Sequence, residues 1–148
     1  VYLDNDGKKS AGVDVVLQYN PNSLEIKPLK RNELTGFLIT GNAILDEPEK
    51  EIQVNPHNYL NTQTSSFDIF PYMKVDNSNG LIFFSALVNP SKEVEGKVKV
   101  ATLTFKAIRK GDTKINIVFN KGSSTDSNVA YSGNDILEEV DEADISIQ

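Results

Sequence analysis

Apolar residues in this chain come in short runs that alternate with polar ones and are closed off by Gly, Pro, Asn or Asp. That spacing constrains the fold more than any other feature. Period-two alternation sends successive side chains to opposite faces of a strand, whereas a helix needs a sustained stripe of period 3.6. Val13, Val15, Leu17 and Tyr19 fall on one face of such a strand, and Asp14, Val16 and Gln18 on the other. Asn20-Pro21-Asn22 ends it, because proline has no ladder donor and restricts its predecessor. Leu24-Glu25-Ile26 resumes briefly before Pro28.

The same grammar runs through most of the chain. Val1-Tyr2-Leu3 reads as a strand already under way, entering a tight turn at Asp4-Asn5-Asp6-Gly7. Residues 67–70 form a strand ended by Pro71, and Asp76-Asn77-Ser78-Asn79-Gly80 turns into a strand over 81–88. Asn89-Pro90-Ser91-Lys92 and Glu95-Gly96 bracket a loop. The longest strand follows, with Val98, Val100, Thr102 and Thr104 alternating against Lys99, Ala101, Leu103 and Phe105. Further strands are expected over 114–119, at 129–131 and over 143–147, with 135–140 either a helical turn or an extended arm. Residues 40–66 break the pattern and read as an irregular insertion, with a short strand at 52–54 and one helical turn at 55–61. Some eight strands with turns between them and no alternating helices predict one all-β domain over 1–148, an antiparallel β-sandwich. Its two layers are expected to clamp Val15, Leu17, Phe83, Leu103, Phe105 and Ile117.

Charge and composition narrow the partners. A formal net charge of −6 repels phosphate backbones, so nucleic acid is not an expected partner. No run approaches the roughly 18 apolar residues that span a bilayer, so direct membrane insertion is not expected either. Cysteine is absent, which removes disulfides, thiolate metal sites and cysteine nucleophiles.

Catalytic patterns do not assemble, and no enzyme activity is expected. His57 is the one histidine and sits beside Pro56 without a sequence-evident partner to orient it. The acidic pairs Glu49/Glu51, Glu138/Glu139 and Asp141/Glu142 lie in charged, solvated stretches, unlike the cleft carboxylates of glycoside hydrolysis. No Gly-x-Ser-x-Gly elbow occurs, and no Gly-Lys-Ser/Thr follows Gly36 or Gly41. No cofactor is expected. Calcium is the one ion to weigh: Asp126 and Asn128, with Asp135, make an oxygen-rich set that either holds a structural ion or caps its own backbone. Asp4-Asn5-Asp6-Gly7 lacks the downstream bidentate Glu of a calcium loop and reads as a turn. Tryptophan is absent and Tyr59, Tyr72 and Tyr131 are scattered, a poor platform for sugar rings.

Four motifs in order resemble the cohesin family. Residues 12–26, Gly-Val-Asp-Val-Val-Leu-Gln-Tyr-Asn-Pro-Asn-Ser-Leu-Glu-Ile, are similar to its buried strand followed by Tyr-Asp-Pro and Leu-Glu. Asn79 to Ser85 resembles the strand after a Gly turn. Ala101-Thr102-Leu103-Thr104-Phe105-Lys106-Ala107, after Gly96 and before Lys110-Gly111-Asp112-Thr113, resembles the family's next block. Asp126 to Ala130, Asn134 to Leu137 and Ile145-Ser146-Ile147 complete the order. The resemblance implies a nine-stranded jelly-roll sandwich, secreted or on the cell surface, that binds dockerin modules through one sheet face. Asp14 matches a dockerin-contact Asp. The usual Asn two residues earlier is Gly12 here, and the Asp of Tyr-Asp-Pro is Asn20. Leu87 and Val88 are expected apolar contacts, and the contact loop corresponds in position to 88–96, which brings in Glu95 and Gly96. The family's opening strand, which pairs with the last one, has no counterpart here and is expected to be missing. Two other readings share the architecture: a carbohydrate-binding module for a polysaccharide, and a structural or adhesive spacer of a surface protein.

Overall fold

The computed structural model describes residues 1–29 and 59–148. Among them the protein is all-β: eleven strands, every pairing antiparallel, and no α-helix. The expected strand at 52–54, His57, the Glu49/Glu51 pair and most of the 40–66 insertion lie outside the described residues.

The largest sheet is built around β2 (Gly12–Tyr19), whose alternation is the clearest in the sequence. On one edge β2 pairs with β5 (Leu81–Leu87), and β5 with β4 (Ile69–Asp76). The other edge of β2 is shared. Its first half takes β9 (Asn128–Tyr131) and its last three residues take β8 (Gly111–Ile117). Ser127 fills the gap between them: Val16 N donates to Ser127 Oγ at 2.8 Å, and Ser127 N donates to Val118 O at 3.0 Å. The two-residue β10 (Asn134–Asp135) closes a hairpin on β9. β11 (Ala143–Ile147) pairs with β8.

Two smaller sheets complete the fold. β1 (Tyr2–Ser10) pairs with β6 (Val94–Lys99), and β3 (Leu24–Lys27) with β7 (Thr104–Ala107). One core draws on all three sheets: Leu3 and Val94, then Val13, Val15, Leu17, Ile82, Phe84 and Met73, then Leu24 and Ile26.

Three expectations are corrected. Asp4-Asn5-Asp6-Gly7 does not reverse the chain; it is a bulge inside β1, with Asp6 and Gly7 at φ of 49° and 74°. Asn5, 7% exposed, closes the bulge by donating to Ser10 Oγ and Val94 O and accepting from Gly96 N. That bulge absorbs Glu95 and Gly96 into β6, so they do not bracket a loop. Pro71 does not end its strand. β4 is an edge strand, and the register shift between Ile69 and Tyr72 carries the proline where no ladder donor is needed.

The third correction concerns the longest expected strand, which is cut in two. Its β6 part pairs with β1, Thr102 bridges to Asn61, and the β7 part pairs with β3. At the change of partner Val100 and Ala101 are both buried although adjacent, so the alternation fails there. The cut, the extended β1 and the short β10 raise the strand total above the eight or nine expected. Of the six residues expected in the core, Val15 and Leu17 are buried, and Leu103, Phe105 and Ile117 pack against the core half-buried. Phe83 faces the opposite side of the sheet from Ile82 and Phe84.

Candidate functional site

Strand register alone sorts the large sheet into two faces. Opposite residues of an antiparallel pair share a face, so Val13, Val15 and Leu17 lie with Ala86, Phe84 and Ile82 on the core side. Gly12, Asp14 and Val16 lie with Leu87, Ser85 and Phe83 on the other. β4 extends that outer face with Ile69 opposite Leu87 and Tyr72 opposite Ser85, and β9 adds Ala130 beside Gly12 and Asn128 beside Asp14.

The outer face exposes large apolar side chains. Ile69, Tyr72 and Leu87 are 41%, 51% and 40% exposed. A polar pair stands beside them, Ser85 Oγ donating a short hydrogen bond to Asp14 Oδ1. Gly12 has a specific part in this surface. A Cβ there would stand 2.5 Å from Leu87 Cδ2, so the missing side chain is what lets Leu87 lie across β2.

Of the residues proposed from sequence, Asp14, Gly12 and Leu87 are brought together on this face. Val88 is not available to a partner: it is 7% exposed and part of the core, because it continues the inward parity of Ala86. Glu95 and Gly96 sit on β6 in a different sheet, where Gly96 N is engaged by Asn5. Ile69 and Tyr72 were not foreseen. Carrying the strand through Pro71 puts Tyr72 opposite Ser85, and that parity was the signal available.

Asp126 and Asp135 of the oxygen-rich set accept from backbone amides. Asp135 Oδ1 accepts from Val129 N and Leu137 N, both at 3.0 Å, and Asp126 Oδ2 accepts from Asn120 N. Asp126 Oδ1 is buried without a hydrogen bond. Among the described residues no three His, Cys, Asp or Glu side chains converge as a metal site would need. Glu138 and Glu142 pair with Lys8 and Lys114 at 2.7 Å in solvent. The three tyrosines do not make a row: Tyr59 packs against the core, and Tyr131 follows Val129 and Ala130 with parity opposite to the outer face. No described helix is long and apolar enough to cross a membrane.

Two carboxylates pin β4, which carries two of the three exposed apolar side chains, Ile69 and Tyr72. Lys92 Nζ at 2.8 Å, and then the Asn89 amide, hold the Asp68 carboxyl below its ordinary 3.8. The Asn79 side chain at 2.8 Å, and then its backbone amide, do the same for Asp76 in the β4–β5 turn. A carboxyl whose folded pKa is depressed adds stability above its unfolded pKa and loses it as pH falls through the folded value. The urea midpoint, followed by circular dichroism, is therefore expected to hold from neutral pH down to about 5 and to fall below about 4. Asp76→Asn should flatten that acid limb; an unchanged limb would remove Asp76 from the linkage.

No family model, curated protein or solved structure matches this chain.

Proposed function

We propose that this chain is a non-catalytic, cohesin-like protein-binding module, secreted or displayed at a cell surface. In this reading the three sheets wrap one core as a jelly-roll sandwich, and the β9–β2–β5–β4 face docks a protein partner such as a dockerin module. The observation that carries it is the exposed trio Ile69, Tyr72 and Leu87 beside the Asp14–Ser85 pair. Solvent-facing apolar side chains grouped on one flat face mark a contact surface more than a solvated one. Tyrosine supplies much contact area for little rotamer entropy, and central aromatic anchors carry a large share of interface energy. A four-strand face suits a patch of about 800 Å² per partner, the usual size of a specific interface.

The test is titration calorimetry against a panel of dockerin modules. Binding at micromolar Kd or tighter is expected for at least one. Leu87→Glu should weaken it about a hundredfold and Tyr72→Ala at least about tenfold, both with the fold intact. Gly12→Ala should also weaken it, by pushing Leu87 off β2, with little change in unfolding midpoint. Binding indifferent to all three variants, or retention on polysaccharide with no dockerin bound, would remove the reading.

A further inference from the structure

The β4–β5 turn carries a reactive pair of residues that the docking reading leaves unused. Asn79-Gly80 is the one Asn-Gly in the sequence. Asparagine before glycine is open to attack on its own side chain, because glycine has no Cβ to shield its backbone nitrogen. The Gly80 nitrogen gives up its proton and bonds to Cγ of Asn79. The Cγ–Nδ2 bond breaks, ammonia leaves, and a five-membered succinimide remains. Water then opens that ring at either carbonyl and leaves aspartate or isoaspartate at position 79.

The fold has a use for both residues. Gly80 has φ of +65°, and a Cβ there would fall 2.0 Å from Tyr19 O, so the close approach of turn and β2 requires glycine. Asn79 is a donor twice over to one carboxylate. Its Nδ2 donates to Asp76 Oδ2 at 2.8 Å, and its backbone amide donates to Asp76 Oδ1 at 3.1 Å. Asn79 is exposed, so water reaches it. The same two hydrogen bonds hold its side chain still. Closing the ring turns the side-chain amide toward the Gly80 nitrogen and takes Nδ2 away from Asp76. Breaking a hydrogen bond to a charged group slows such a step about ten- to a hundredfold.

We propose that Asn79 is a latent deamidation site, clamped by Asp76 and released when the β4–β5 turn opens. Conversion sets a second carboxylate against Asp76 in place of a donor, and like charges that close repel. The isoaspartate form also adds one carbon to the main chain just before Gly80. Both changes loosen the turn from the end of β2, where Gly80 O accepts from Tyr19 N at 2.9 Å. This stands independently of what docks on the outer face.

The test compares the intact protein with a free peptide of residues 74–84, both held in mildly alkaline buffer. Conversion is followed by peptide mass spectrometry as the small mass gain of amide to acid at Asn79. The protein is expected to convert at least about tenfold more slowly than the peptide. Asp76→Ala should bring it close to the peptide's rate. Asp68→Ala removes the other carboxylate that pins β4 without touching Asn79, and should leave the rate unchanged. Converted protein, separated by ion exchange, should unfold at a lower urea midpoint than the starting material. A protein that converts as fast as the peptide would overturn the proposal. So would an Asp76→Ala variant no faster than the unchanged protein, or one matched by Asp68→Ala, which makes general loosening the cause. An unchanged midpoint after conversion would overturn the link from Asn79 to the turn.

Discussion

Phe84→Ala is expected to lower the unfolding free energy by about 3–5 kcal/mol, the range for truncating a fully buried aromatic. Phe84 is 1% exposed and is the largest of the fully buried side chains among the described residues. It stands in the middle strand of three, with Val15 of β2 and Met73 of β4 as its register partners. Ile82 and Ala86, two residues either side on the same face, are also completely buried, so little nearby can relax into the hole. Against a domain stability of about 5–15 kcal/mol this is a large fraction, and it is read from the shift in urea midpoint at constant slope. A loss below about 1 kcal/mol would mean that Phe84 does not fill the core as described.

Gly80→Ala is the second. Gly80 has φ of +65°, and a Cβ on it would fall 2.0 Å from Tyr19 O and 2.9 Å from Pro21 Cδ. Two costs add: about 1–2 kcal/mol for the left-handed backbone and about 1–3 kcal/mol for forcing neighbours apart. The second cannot be relieved by a rotamer change, because the obstructing atom is backbone. The contact is also structural, since Gly80 O accepts from Tyr19 N at 2.9 Å and Tyr19 Oη donates to Asn77 Oδ1 at 3.0 Å. The β4–β5 turn is thereby locked to the end of β2. Gly7→Ala is the matched control: its φ is +74°, but nothing lies within 4 Å of the added carbon. It should lose about 1–2 kcal/mol, the backbone cost alone. Equal losses at both positions would rule out the close approach as the cause.

Sequence patterning revealed strands wherever one face was apolar and a turn residue closed each end. β2, β3, β8 and β11 are of that kind. The run at 81–88 shows where the method stops. Leu81, Ile82, Phe83 and Phe84 are all apolar, so period-two reasoning finds the strand but not its inward side. Register against Val15 and Leu17 decides in favour of Ile82 and Phe84. The split between β6 and β7 does leave a mark that whole-strand reasoning passes over: the apolar positions are Val98 and Val100, then Ala101, Leu103 and Phe105, so the phase slips by one residue where the hydrogen-bonding partner changes. Proline and glycine misled where tertiary context set their role, Pro71 on an edge and Gly7 in a bulge. At the candidate site, Asp14, Gly12 and Leu87 could be named from motif and parity. Tyr72 could not, because its membership of β4 depends on a strand continuing past a proline.

Pro71 has one more effect. At the β4 side the sheet ends in a strand that is kinked and short of a donor, so a neighbouring molecule finds no straight template there. Two copies of this chain are thus kept from fusing sheet to sheet along that margin.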